Sequence, residues 1–149
     1  KEGTSVWRMN DLAQSLHLDR TYFLNTNGLD LTATQSGAYG SARDVATLFA
    51  YAASTSPQVF EATHLREFTI TSADGVSTTA INTDEALPDL PDIVLGKTGF
   101  TELAGGNLAV VFLQNGHLIS IVVLGSTYDG RFQDVKVLAA AAQKALGHE

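Results

Sequence analysis

The stretch Asn107-Leu108-Ala109-Val110-Val111-Phe112-Leu113-Gln114-Asn115-Gly116-His117-Leu118-Ile119-Ser120-Ile121-Val122-Val123-Leu124-Gly125 decides the fold. Asn115-Gly116 is the strongest short-range hairpin signal, because both residue types accept the positive φ of a two-residue type I′ turn. On either side of it, Leu108–Leu113 is apolar without alternation and Leu118–Leu124 nearly so. Strands of that kind are buried on both faces. A further run over 93–100 precedes them, so 93–100, 107–113 and 117–125 are expected to form a mainly antiparallel sheet. Beyond it, Phe132, Val135, Leu138, Ala142 and Leu146 line one side of a helix over about 131–146, which can cover one sheet face.

No obvious element covers the other face. Residues 5–18 read as a helix with Val6, Met9, Leu12, Ala13 and Leu16 on one stripe and Thr4 or Ser5 as cap. Asn25, Asn27-Gly28, Asp30, Gly37 and Gly40 make residues 22–40 a loop with at least two turns. Ser41 is a good N-cap for a second helix, with Asp44 placed to favour the helix dipole and Val45, Leu48, Phe49 and Ala52 as its buried stripe. Pro57 suits the first turn of a short helix over 57–63. The loop-rich connection sets the two longer helices apart as a helical layer.

From residue 66 the period falls to two. Phe68–Thr71 and Val76–Ile81 flank Asp74-Gly75 and read as a hairpin. Residues 82–92, acidic and holding Pro88 and Pro91, read as a solvated loop. The expected fold is therefore α/β of the α+β kind. Its parts are a helical part (about 1–64), a hairpin and loop (about 65–92), and the sheet with its C-terminal helix (about 93–149).

The whole is 149 residues, 44% hydrophobic and 17% charged, a globular balance sized for one domain. Nine basic against 16 acidic side chains give a net charge of −7 with no basic run, which makes the chain a poor nucleic-acid or anionic-membrane binder. With no cysteine there is no disulfide, thiol nucleophile or Cys-bound metal. His17, His64, His117 and His148 show no metal-ligand spacing, so neither metal nor cofactor is expected. No apolar run approaches the ~18 residues of a spanning helix. Lys1-Glu2-Gly3-Thr4 is not a signal peptide.

Gly96-Lys97-Thr98-Gly99-Phe100-Thr101 is where chemistry concentrates. A lysine ammonium next to a hydroxyl offers a charge and a donor to a carboxylate. Gly99 lets a ligand backbone approach the strand, and an extended peptide could pair with it. Lys97 and Thr98 point to opposite faces of a regular strand, so both reach one ligand only at an edge beside a cleft. The bland alternative is a solvated lysine that protects a sheet edge from aggregation.

Four segments in order resemble the penicillin-binding D-alanyl-D-alanine carboxypeptidases, the low-molecular-mass serine peptidases of peptidoglycan. Met9-Asn10, Ala13 and Leu16-His17-Leu18 are similar to that family's Met-Asn…Ala…Leu-Gly-Leu helix. Thr21, Phe23, Asn25 and Gly28-Leu29-Asp30 are similar to its Thr-x-Phe-x-Asn-x-x-Gly-Leu-Asp loop. Tyr39 and Ser41-Ala42-Arg43-Asp44-Val45-Ala46 with Leu48 resemble its Tyr-Ser-Thr-Ala-Arg-Asp-Leu-Ala-x-Leu helix start. Gly96–Thr101 with Ala104-Gly105-Gly106-Asn107-Leu108 resembles its Lys-Thr-Gly strand and the turn after it. The resemblance runs from about Val6 to Leu124.

It implies a serine carboxypeptidase acting on peptidoglycan stem peptides through an acyl-enzyme, inhibited by β-lactams and working outside the cytoplasm. In that role Lys97 and Thr98 would hold the substrate carboxylate, and Gly99 and Thr101 would flank the bound peptide. The Phe100 backbone N–H would be one oxyanion donor. The family's Ser-x-x-Lys and Ser-x-Asn motifs do not occur in this sequence. The chain therefore reads as the C-terminal portion of an incomplete β-lactamase/transpeptidase-like domain, inactive alone, with the missing N-terminal half as its partner. The sheet's uncovered face would drive self-association. Alternatives are a β-lactamase or esterase relative, a non-catalytic module binding peptidoglycan peptide or a protein, or a structural fragment joined by a separate half. Arg43 and Asp44 read as structural, Asn25–Asp30 as a loop that shapes the cleft, Glu102 and Asp92 as solvated, and Trp7 as packing.

Overall fold

In the computed structural model, which describes residues 2–90 and 92–147, the order is α1 (Glu2–Ser15), β1 (Tyr22–Phe23), β2 (Ala38–Tyr39), α2 (Ala42–Thr55), a 3₁₀ segment (Pro57–His64), β3 (Glu67–Thr71), β4 (Ser77–Ile81), a 3₁₀ turn (Leu87–Asp89), β5 (Ile93–Thr101), β6 (Gly105–Gln114), β7 (His117–Ser126) and α3 (Gly130–Leu146). Pro91 and His148 lie outside the described residues. Asn115 and Gly116 adopt φ of 49° and 79°, as a type I′ turn requires. β5, β6 and β7 form one antiparallel sheet in that order, so β5 and β7 are its edges. β1–β2 and β3–β4 are separate two-stranded ribbons.

Register assigns the faces. Leu108, Val110 and Phe112 turn to α3, where they meet Phe132, Val135 and Ala139. Val111 turns the other way and packs with Leu95 and Ala53, against Phe49, Ala52 and Phe60. Each fully buried Leu, Val or Phe contributes about 1.5–3 kcal/mol relative to exposure. The second face is thus covered after all, by α2 and the 3₁₀ segment, because the Phe49-Ala52-Ala53 side of α2 is apolar and small enough to seat on the sheet. The cover stops short of the sheet's margins. Leu113, Leu118 and Leu124 are 44%, 38% and 39% exposed.

Several expectations about α1 change. The helix already runs from Glu2, so Thr4 and Ser5 lie inside it rather than cap it. It ends at Ser15 instead of 18, because His17 turns left-handed (φ 56°) and the Leu18 N–H bonds the Ala13 carbonyl at 2.9 Å, a Schellman closure. Only Ala13 of its stripe is buried, and Trp7, expected as a packing residue, is exposed. The 82–92 segment also departs from a solvated loop. Asp84 and Ala86 are buried: Asp84 Oδ1 accepts the Ala86 N–H at 2.9 Å, and this tight turn drops Ala86 into the α3 core.

The 22–40 loop is folded by short polar contacts. Asn10 holds Phe23 by two 2.8 Å hydrogen bonds, one to each backbone group. Buried Asn25 accepts the Gly28 N–H and donates to the Leu29 carbonyl, and a Cβ on Gly37 would fall 2.4 Å from its amide. Asn25 is therefore a structural clamp.

Candidate functional site

β5 is an edge strand, the position expected for it from Lys97 and Thr98. Lys97 pairs with Ala109 and faces the α2 side, while Thr98 pairs with buried Leu108 and faces the α3 side. The Gly96 N–H reaches the Thr63 hydroxyl at 3.1 Å, so it points away from β6. Backbone groups alternate along a strand, and the pairing from Leu95 to Thr101 has no break. The N–H groups of Thr98 and Phe100 therefore point off the same free edge. Lys97 is exposed, and its ammonium folds back on the Thr98 carbonyl.

Two of the hollows beside β5 reach residues 96–101. A groove of about 380 Å³ lies between β5 and the β3–β4 hairpin, lined by Thr63, Phe68, Ile70, Thr83, Lys97 and Thr98. A larger one, about 480 Å³, opens on the α2 side and takes in Asp30, Phe49, Thr101, Asn107 and Leu124. Asn107 pairs with Gly99, so this hollow borders the face that carries Lys97 and Gly99. A Cβ on Gly99 would meet nothing closer than Asn107 Cβ at 3.7 Å. Folding does not demand glycine there, and it leaves open space over the strand.

Thr98 bonds the Thr83 hydroxyl at 2.7 Å. The Thr101 hydroxyl is engaged within the chain. It donates to Asp30 Oδ1 at 3.0 Å and accepts the Ala104 N–H at 3.0 Å, which locks the 22–40 loop to the β5–β6 turn. Glu102 lies in that turn, outside both hollows.

Sequence reasoning passed over Arg131, Thr83 and Asp84. Arg131 is 4% exposed, its guanidinium stacked between the Tyr128 and Phe132 rings at 4.5 and 4.6 Å, and Nη1 donates to the Gly99 carbonyl at 2.9 Å. Half-exposed Phe100 meets Tyr128 edge-on at 5.0 Å. Burial pushes the Asp84 carboxyl above its usual value, opposed by the Ala86 and Leu87 N–H groups and by the Arg131 charge. An arginine amid a helical stripe carries no sequence mark of burial, and Asn82-Thr83-Asp84 reads only as turn-formers.

An antiparallel sheet backed by a C-terminal helix, with Lys-Thr-Gly along its free edge, defines the sheet half of a penicillin-binding, transpeptidase-like domain. The sequence pattern of the D-alanyl-D-alanine carboxypeptidase family matches residues 2–127, and the chain belongs to that family. Solved structures agree. A D-alanyl-D-alanine carboxypeptidase from Mycobacterium tuberculosis is 26% identical with a TM-score of 0.73, over 92% of this chain and 52% of that one. Penicillin-binding protein D2 from Listeria monocytogenes, in its ampicillin-bound form, is 25% identical with a TM-score of 0.75, over 97% of this chain and 55% of that one. A DD-transpeptidase from Streptomyces shares the fold at 23% identity and a TM-score of 0.73, over 89% of this chain and 52% of that one. The chain spans about half the length of these structures. Comparison with curated protein sequences finds no significant match.

Proposed function

We propose that this chain is the carboxylate-binding, C-terminal portion of a serine D-alanyl-D-alanine carboxypeptidase that trims peptidoglycan stem peptides. The observation that carries the reading is the free edge of β5: Lys97 and Gly99 beside open space, with the Thr98 and Phe100 N–H groups directed off the strand. Lys97 and the Thr98 hydroxyl hold the terminal carboxylate of the substrate or of a β-lactam. A serine supplied by sequence outside residues 1–149 attacks the penultimate D-alanine carbonyl. The tetrahedral oxyanion accepts the Phe100 N–H and the serine's own N–H. The C–N bond breaks, D-alanine leaves with a proton, and water then hydrolyses the acyl ester. Peptidoglycan places this work outside the cytoplasmic membrane, and no helix among the described residues is long and apolar enough to cross one.

The test is acylation of the full-length protein by a fluorescent penicillin, together with D-alanine release from a peptide ending in D-Ala-D-Ala. Lys97→Ala is expected to slow acylation about 10- to 100-fold, the worth of a hydrogen bond to a charged group. Lys97 is exposed, so the melting temperature stays at the wild-type value. A full-length protein that neither labels nor releases D-alanine, or a Lys97→Ala variant labelled at the wild-type rate, overturns the reading.

A further inference from the structure

Two charged side chains lie buried behind β5, one at each end of the Lys97-Thr98 pair. At the Gly96 end, Asp84 is 3% exposed; its Oδ2 has no hydrogen-bond partner and lies 3.8 Å from where a Gly96 Cβ would stand. At the Gly99 end, Arg131 is 4% exposed; Nη1 holds the Gly99 carbonyl and Nε has no partner. Among the described residues the only other buried charged side chain is Asp44, which is bound to Arg20 and Thr21 at the start of α2. Asp84 is thus the buried counter-charge available to Arg131. The two do not form an ion pair within 4.0 Å; the only such pair among the described residues joins Lys136 to Asp89. The Arg131 charge nevertheless acts on the Asp84 carboxyl without contact, and a buried guanidinium without compensation is costly. Thr83, the neighbour of Asp84, also holds the Thr98 hydroxyl.

We propose that Asp84 is a positioning residue for the carboxylate-binding edge: its buried charge keeps the Arg131 guanidinium seated on the Gly99 carbonyl. Asp84 and Arg131 together then fix the strand that presents Lys97 and Thr98. The consequence for substrate rests on the carboxypeptidase reading; the consequence for the strand does not.

The test uses the full-length protein with Asp84→Asn, Arg131→Met and the double variant, Arg131→Lys replacing Arg131→Met if that variant does not fold. Asparagine keeps the acceptor for the Ala86 N–H and removes only the charge. Asp84→Asn is expected to speed amide hydrogen exchange across Gly96–Thr101 about tenfold, with β6 and β7 little changed. It is also expected to weaken β-lactam binding ahead of acylation about tenfold, a coupling of ordinary size. On the Arg131 variant the same substitution adds less than about twofold. Wild-type exchange in β5, additive effects in the double variant, or loosening spread evenly over the sheet with a lowered melting temperature would each overturn the proposal. If the wild type is not acylated at all, the carboxypeptidase reading fails, and the exchange measurement still decides the role of Asp84.

Discussion

Asp44 joins chain positions 24 apart. Its N–H donates to Ser41 Oγ at 3.1 Å, while its carboxylate accepts the Arg20 N–H at 2.8 Å and the Thr21 hydroxyl at 3.0 Å. Burial raises its carboxyl, but the Ser41, Arg20 and Thr21 hydrogen bonds and the Arg20 charge outweigh it, and the group sits below the usual aspartate value. A carboxyl depressed on folding stabilises above the unfolded pKa of about 3.9, and that contribution is lost as pH falls through the folded value. Asp44→Asn should therefore be less stable than wild type at pH 7 and should lose less stability between pH 4 and pH 2. Urea midpoints at pH 7, 4 and 2 measure this, and an acid limb of unchanged slope would exclude Asp44 as its source. Ser41→Ala should cost about 1 kcal/mol at pH 7 in the same titrations. The Ser41 cap was legible because its partner is three residues away. The true partners of the Asp44 carboxylate, like the burial of Arg131 under Tyr128, are set by tertiary packing and leave no local pattern.

At the level of the element, the glycines of β5 and β6 make different demands on folding. A Cβ on Gly106 would stand 2.1 Å from the Thr127 carbonyl oxygen, so β6 needs glycine to pass the entry to α3. Gly99→Ala meets only ordinary contact. Gly106→Ala should lose about 1–3 kcal/mol, the range for forced overpacking. Gly99→Ala should melt like wild type yet acylate poorly, because its methyl enters the space beside Lys97. Thermal melts and penicillin labelling of the full-length protein check the pair; normal labelling of Gly99→Ala would mean that the α2-side space is not where the ligand lies. The three strands and both hairpins were legible, since uninterrupted apolar runs and the Asn115-Gly116 and Asp74-Gly75 turns are local signals. The edge position of β5 followed from the chemistry of Lys97 and Thr98. The end of α1 was not legible, because a left-handed histidine does not announce itself as glycine would. Nor was the inward turn at Asp84, where acidic composition suggested solvent.

For the whole molecule, what matters is how far the helices reach across the sheet. α3 closes one face, whereas α2 and the 3₁₀ segment cover the centre of the other and leave Leu113, Leu118 and Leu124 partly bare. β7 adds a free ten-residue edge beside them. A long unpaired strand flanked by leucines is a template for pairing with another chain. Residues 1–149 produced alone should therefore associate as concentration rises, even though a net charge of −7 opposes it. Placing lysines at 118 and 124 charges the bare margin without touching the fully buried core of Leu108, Val110, Val111 and Phe112. Leu118→Lys with Leu124→Lys should move the chain toward monomer, with an unchanged far-ultraviolet circular dichroism spectrum. Light scattering over a concentration series reads the difference. A wild-type chain that stays monomeric throughout would mean that the partial cover from α2 is enough to close the sheet. Association that persists in the double variant would place the contact elsewhere, with the exposed Phe68 and Ile70 of the β3–β4 hairpin the next surface to charge.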